Sequence, residues 1–167
     1  MVREETVSGM RTALKIGFSF GLTSGVITTL GLMVGLHAGT HSMPAVLGGI
    51  LTIAVADAMS DALGIHVAEE SKNHGNTHDI WASTAATFAA KFVIAGTFAI
   101  PVLFMPLDAA VVVSLIWGLS LLAVLSYALA RAQRVPPWKV IGEHVLIGLS
   151  VVAITHYLGA WVRATFG

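Results

Sequence analysis

Long apolar runs alternate with short polar stretches along this chain of 167 residues. Each run is about as long as a helix that crosses the hydrocarbon core of a bilayer, which takes roughly 20 residues. The runs and the breaker residues between them predict five membrane-spanning helices, over about 14–36, 44–68, 80–104, 109–130 and 138–161. The connections are short, so we expect consecutive helices to pack as antiparallel neighbours.

The composition supports a membrane environment, since 56% of the residues are hydrophobic, 11% are charged and the mean hydropathy is +0.83. A soluble domain usually carries about 25% charged residues, so this chain lacks the polar surface that water requires. We expect a single all-α integral membrane domain over residues 1–167, surrounded by a lipid bilayer and without internal repeats. A net charge of zero gives no indication of a nucleic-acid partner, and the absence of cysteine excludes disulfides and thiolate metal sites.

Lysine and arginine fall almost entirely on one side of the five predicted spans. Seven of them lie on that side: Arg3, Arg11, Lys15, Lys72, Arg131, Arg134 and Lys139. Arg163 lies on the other side. By the positive-inside rule we expect a cytoplasmic N-terminus and an external C-terminus, in the cell membrane or in the membrane of an organelle.

The first span carries Gly17, Gly21 and Gly25 at four-residue spacing, followed by Gly31 and Gly35. Such spacing allows two helix backbones to approach closely, and the pattern predicts a close-packed helix face. Two alternatives stay open: glycine is common in membrane helices in general, and the partner helix can belong to the same chain or to a second copy.

Two carboxylates interrupt the second span, in the stretch "ADAMSDALG". Asp57 and Asp61 are one turn apart, so they share a helix face, to which we also assign Ser60. A charged group at mid-membrane costs about 2.5–3.5 kcal/mol on insertion scales and is tolerated where it faces a cavity, a partner or an ion. The candidate partners at a similar depth in other spans are Lys91, Ser24 and Thr28.

Three interpretations of these charges are open. In the first, the aspartates line a cation path, with Lys91 as a counter-charge or proton-coupling partner. In the second, Lys91 and one aspartate form a structural ion pair between the second and third spans. In the third, an aspartate is protonated and merely hydrogen-bonded. One lysine neutralises only one carboxylate, so the presence of a second carboxylate favours the first interpretation, a cation path.

A second polar constellation follows at the cytoplasmic end of the same helix, in "GIHVAEESKNHGNTHD". Its candidate metal ligands, at helix spacing and in the following loop, are His66, Glu69, Glu70, His74 and His78. Nitrogen and oxygen donors together suit iron(II), manganese or zinc. The alternative is an ordinary solvated loop.

The sequence contains no motif for hydrolytic, redox or nucleotide chemistry. We therefore expect a protein that is not an enzyme and holds no cofactor, so that any transport is driven by an ion gradient or runs downhill. Three histidines lie on the opposite side of the membrane and are expected to be interfacial residues rather than ligands: His37, His41 and His156.

Four segments of the chain resemble helices one, two, three and five of the vacuolar iron transporter family. They are "GVITTLGLMVGL", "ADAMSDALGIHVAEES", "FVIAGTFAIPVLFMP" and "AITHYLGAWV", and they follow in order over nearly the whole chain. The resemblance implies a homodimeric carrier that moves iron(II) or manganese out of the cytosol by proton antiport. It also implies an ion path at the dimer interface, lined by the first two helices.

The chain departs from that family at the positions that bear most on the ion. Ser24 stands where the family typically has an ion-path aspartate, and Asp61 stands where it has an ion-path methionine. Lys91 is not expected from the family pattern, and a short connection replaces the family's glutamate-rich cytoplasmic region. A carboxylate site favours harder ions such as manganese or iron(II), whereas a charged Lys91 disfavours a dication.

Overall fold

A computed structural model of the chain describes residues 2–72 and 76–167, and these residues form helices joined by short connections. The helices are α1 (Val2–Thr40), α2 (Met43–Thr52), a π-helical turn (Ile53–Asp57), α3 (Ala58–Glu70), α4 (Thr77–Thr97), α5 (Ala99–Phe104), α6 (Leu107–Gln133) and α7 (Pro137–Phe166). Within the described ranges there is no β-strand.

Five helical stretches are long and apolar enough to cross a membrane, which confirms the predicted all-α architecture. They are span one (Gly9–Thr40), span two (Met43–Glu70), span three (Thr77–Phe104), span four (Leu107–Gln133) and span five (Pro137–Phe166). Spans one, four and five continue beyond the apolar runs from which they were predicted, because the helix extends into the flanking polar residues.

Local capping explains where several spans begin and end. Ser42 Oγ accepts a hydrogen bond from the backbone N–H of Ala45 at 3.4 Å, and the side chain of Asn76 caps the start of span three in the same way. Span three is interrupted at Phe98. The interruption follows from Pro101, which has no N–H to donate to the carbonyl of Thr97.

The two ends of the bundle differ in charge. We call them the Lys72 end, where span one begins and span two ends, and the His37 end, where span one ends and span two begins. All seven basic residues that the sequence places on one side, Lys72 among them, lie in described helices or connections at the Lys72 end. Arg163 lies at the His37 end.

Span one is the central helix of the bundle and packs against spans three, four and five. Its Gly17–Gly21–Gly25 face lies against span three. A methyl group added at Gly17 or Gly21 would collide with the backbone carbonyl of Ser83 or of Thr87. The close approach that the glycine spacing predicts is therefore made within the chain, and it brings the backbone of span one next to Lys91.

A second glycine face of the same helix contacts span five. Gly35 lies against Thr155, and Gly39 lies against Gly159, with a carbonyl within 3.3 Å of the position of an added methyl group in both cases. Both glycine-rich faces of span one are thus occupied by helices of the same chain. The buried apolar core lies between these contacts and includes Val26, Leu30, Met33, Ile50, Phe98, Val102 and Leu122.

Candidate ion site between spans one, two and three

Lys91 is the largest fully buried side chain in the described part of the chain, with 0% of its surface exposed. Its Nζ lies 2.5 Å from Asp57 Oδ2, 2.5 Å from Asp61 Oδ2 and 3.0 Å from Ser24 Oγ. An ammonium group has three N–H donors and no acceptor, and two of the three oxygens around it, those of Asp61 and Ser24, accept a hydrogen bond. The sequence left open which aspartate pairs with Lys91; the structure shows that both do.

The two aspartates differ in how firmly they are held. Asp61 Oδ2 accepts hydrogen bonds from Lys91 Nζ and from Ser24 Oγ, the latter at 2.6 Å, and 20% of its side chain is exposed. Asp57 Oδ2 is in ionic contact with Nζ but lies outside the direction of a hydrogen bond, and no other described residue bonds to it. Its side chain is 36% exposed. Asp57 is therefore the carboxylate with spare capacity for another cation.

The formal charge of this group is not balanced. One ammonium faces two carboxylates, so the group carries one net negative charge when all three are ionised. The site sits in the interior of three membrane-length helices, where an uncompensated charge is costly. A further positive charge, as a bound cation or a proton, completes the balance.

Span one contributes hydroxyl groups on the side opposite the carboxylates. Ser24 Oγ donates to Asp61 and accepts from Lys91, so it links the helices of all three spans. Thr28 lies one turn further along, and its Oγ1 donates to the carbonyl of Ser24 at 2.9 Å. Thr28 therefore supports the backbone at Ser24 and forms no hydrogen bond with Asp57 or Asp61.

The helix of span two is irregular where it reaches this site. Residues 53–57 form a π-helical turn, in which the N–H of Ala58 donates to the carbonyl of Ile53, five residues earlier. Such turns insert an extra residue into a helix and occur often at functional sites. Here the turn ends at Asp57, so the carboxylate lies at the junction between two regular helices, and the sequence periodicity gave no sign of it.

Ser60 does not join the Lys91 group, although the sequence places it on the same helix face. It is exposed and lines an open, mostly apolar groove of about 700 Å³ between spans two and three, together with Met59, His66, Trp81 and Phe88. Relative to Asp57, Asp61 lies about 40° to one side of the helix and Ser60 about 60° to the other. The rotation that directs Asp61 toward Lys91 therefore leaves Ser60, about 100° away, on the outer surface.

The predicted metal-binding constellation at the Lys72 end is not assembled in the described residues. His66 Nδ1 is bonded to Thr84 Oγ1 at 3.1 Å, while Glu69 Oε1 forms an ion pair with Lys72 at 2.5 Å. Glu70 and His78 are exposed, and His74 lies outside the described residues. Among the residues that the structure describes, no three histidine or acidic side chains are placed to hold one metal ion.

Two polar pairs elsewhere were not anticipated from the sequence. His37 Nε2 is 2.8 Å from Asp108 Oδ1 at the His37 end, and His144 Nδ1 is 2.7 Å from Ser126 Oγ between spans four and five. The residues of each pair are far apart in sequence, so no local spacing indicates either contact.

Comparisons with known proteins identify no relative. No protein-family model matches the chain, and no curated protein matches it.

Proposed function

We propose that this chain is a carrier of divalent cations, iron(II) or manganese, that uses Asp57 and Asp61 as its binding carboxylates. The observation that supports it most directly is the contact of both aspartates with a single ammonium group, Lys91 Nζ, which leaves one negative charge without a partner. A structural ion pair needs one carboxylate. The second is retained inside the bundle at an energetic cost, which a transport function explains.

Lys91 competes with a metal ion for the two carboxylates of this site. Its ammonium group and a dication require the same two Oδ2 atoms, each 2.5 Å from Nζ, so they exclude one another. With a dication bound to both carboxylates, the group formed by the metal, the two aspartates and Lys91 is neutral only when the ammonium has released its proton. One proton then leaves Lys91 as the metal enters, and this is the basis of the proton antiport that we propose.

The donor set favours hard or borderline cations. Two carboxylates and the hydroxyl of Ser24 lie around Lys91 Nζ, and all of them are oxygen ligands. Oxygen ligands suit manganese and iron(II) better than copper(I), which prefers thiolate and thioether sulfur.

Two positions at which the chain departs from the vacuolar iron transporter pattern, Ser24 and Asp61, lie next to each other in the structure. Ser24 occupies the position of that family's aspartate on the first helix, and Asp61 provides a carboxylate on the second. Their side-chain oxygens are 2.6 Å apart, so the exchange leaves a carboxylate at nearly the same point. This coincidence supports the resemblance, and with it a carrier that exports metal from the cytosol across the cell membrane or that of an organelle.

We further propose that the chain is a homodimer that pairs through span two. A stripe of small residues at four-residue spacing lies exposed along this span: Gly48, Thr52, Ala56, Ser60, Gly64 and Ala68. A methyl group added at Gly48 or Gly64 would meet no atom of the described residues within 4 Å. Small residues at this spacing favour close helix contacts in membranes, and a second copy would shield the exposed parts of Asp57 and Asp61 from lipid.

The orientation follows from the basic residues, which are concentrated at the Lys72 end. We place that end in the cytoplasm, with the N-terminus there and the C-terminus outside. The proposed direction of transport then runs from the Lys72 end to the His37 end.

Flux through reconstituted vesicles tests this function. Wild-type protein should carry manganese(II) and iron(II) in exchange for protons, and the Asp57→Asn/Asp61→Asn double variant should lose that flux. Glu143→Gln is the matched control, because Glu143 is an exposed carboxylate at the Lys72 end. Undiminished flux in the double variant would exclude these aspartates as the site.

A second candidate is a membrane protein that transports nothing and in which Lys91 is purely structural. The complete burial of Lys91 and its contacts with two helices favour it. A third is a proton-coupled carrier of another substrate. Absence of any metal-dependent change in thermal stability supports the former, and proton-coupled flux that is insensitive to divalent metals supports the latter.

A further inference from the structure

The His37 end of the bundle contains a cavity, lined by basic and small side chains, that the ion site does not use. It is open, has a volume of about 530 Å³ and lies between the last turns of spans one and five. Three histidines and one arginine face it: His37, His41, His156 and Arg163. Ala38, Ala160 and Ala164 line it as well, and their small side chains leave room between the basic groups.

Arg163 is directed across this cavity rather than toward its own helix. Its Nη1 lies 2.6 Å from Nδ1 and 3.2 Å from Nε2 of His41, and its side chain donates to no carbonyl of span five. An arginine that only stabilised the carboxyl end of its helix would bond to those last carbonyls. Its Nε and Nη2 atoms make no hydrogen bond with any described residue. The guanidinium therefore retains donors that no described residue satisfies, at the edge of this open cavity.

His41 is held in a conformation that brings its ring to Arg163. Its φ of 49° lies in the left-handed region, which is uncommon for residues other than glycine. This residue follows the last turn of span one, and its ring centroid is 5.0 Å from that of His37. A neutral imidazole offers one acceptor nitrogen, so it satisfies the guanidinium poorly. No carboxylate among the described residues pairs with Arg163; Asp108, which is 88% exposed, contacts His37 instead.

We propose that this cavity binds a phosphate group, with the guanidinium of Arg163 as the bidentate donor and the rings of His41 and His156 as further donors. Arginine matches the geometry of phosphate oxygens with two parallel N–H bonds, and a basic cavity whose arginine has no carboxylate partner among the described residues favours an anion over a metal ion. The proposed site lies at the His37 end of the bundle, opposite the Lys72 end, and does not depend on the transport of cations.

The phosphate can come from a phospholipid headgroup or from free inorganic phosphate. The last turns of span five also carry exposed aromatic side chains, as is typical of the level of lipid headgroups: Tyr157, Trp161 and Phe166. Both sources present the same phosphate oxygens to the cavity, so the experiment measures binding of inorganic phosphate and of a phospholipid in separate arms.

The test uses the full chain in detergent and compares wild type with Arg163→Gln and Arg131→Gln. Arg131 is the matched control, since it is an exposed arginine in the last turn of span four at the other end of the bundle. In the first arm, inorganic phosphate is titrated against chloride at equal ionic strength while the thermal midpoint is recorded. In the second, native mass spectrometry counts the phosphatidylglycerol molecules that each protein retains.

We expect saturable binding in at least one arm for wild type and Arg131→Gln, and at least tenfold weaker binding for Arg163→Gln. A response in the first arm identifies free phosphate, and a response confined to the second identifies a lipid headgroup. Equal binding by Arg163→Gln, equal losses in both variants, or no binding by wild type would overturn the proposal. If Arg163→Gln does not fold, Arg163→Lys and His156→Asn replace it, and each should weaken binding relative to Arg131→Gln.

Discussion

Ser24 Oγ on span one donates a 2.6 Å hydrogen bond to Asp61 Oδ2 on span two, and both atoms contact the same ammonium group, Lys91 Nζ on span three. Three helices therefore meet at a single point through side chains that are 30 to 67 residues apart in sequence. A change at any of these positions alters the packing of the bundle and the charge of the site together. Variants at these positions need readouts that separate the two effects.

Asp57 and Asp61 should respond differently to neutralisation. Asp61→Asn removes a carboxylate that holds two hydrogen bonds, so we expect it to lower the free energy of unfolding by about 1.5–3 kcal/mol, the usual range for a bond to a charged group. Asp57→Asn removes a carboxylate that is more exposed and accepts no hydrogen bond from any described residue, so its effect on stability should be smaller. Unfolding in detergent and manganese flux in vesicles should be measured on both.

Flux should be lost in both variants, because the proposed site needs two carboxylates. Full manganese flux in Asp57→Asn would show that this residue is not a ligand, whatever its effect on stability.

The glycine face toward span three should tolerate no added side chain. In Gly21→Ala the new methyl group would lie 2.5 Å from the carbonyl oxygen of Thr87 and would force spans one and three apart. We expect a loss of about 1–3 kcal/mol in stability, as for other overpacked cores. Gly142→Ala is the control, since a methyl group there meets nothing within 4 Å. Equal stability of the two variants would contradict the close contact with span three.

The sequence was sufficient to predict the five long apolar helices and the common level of Asp57, Asp61, Lys91 and Ser24 along the bundle, because both follow from hydropathy and helix period. It did not predict that Lys91 would touch both aspartates, since the rotation of one helix relative to another is set by packing. The glycine spacing predicted a close contact but not its partner, which proved to be Ser83 and Thr87 of the same chain. Ser60 was misplaced for a related reason: a helix face inferred from spacing does not show how the helix is turned toward its neighbours.

Association of two chains should depend on span two. In Gly64→Leu the side chain would project from the exposed stripe of small residues, where a methyl group meets no described atom within 4 Å, so the fold of the single chain should be unaffected. We expect at least a tenfold weaker dimer, because a bulky residue prevents the close approach of two helices. Gly142→Leu, an exposed glycine in span five, should leave association unchanged. Light scattering in detergent measures both, and an unaltered dimer in Gly64→Leu would place the interface elsewhere.

Removal of the lysine charge should reveal whether the two carboxylates bind a dication. In Lys91→Met both carboxylates lose their cationic partner, and breaking a buried ion pair typically lowers stability by about 3–5 kcal/mol. A purely structural pair predicts the same loss, so this result alone does not distinguish the two functions.

Binding of manganese distinguishes a cation site from a purely structural ion pair. Without the ammonium, a dication meets no competitor at the two Oδ2 atoms, and a ligand that binds only the folded state raises the unfolding midpoint more the tighter it binds. We therefore expect manganese(II) to stabilise Lys91→Met more than wild type, and to have no such effect on the Lys91→Met/Asp57→Asn/Asp61→Asn triple variant. Lys72→Met is the matched control, because this lysine is exposed and pairs with Glu69 outside the site. If manganese leaves the midpoint of Lys91→Met unchanged at concentrations that saturate transport, the carboxylates do not form a cation site and Lys91 serves the packing of the bundle alone.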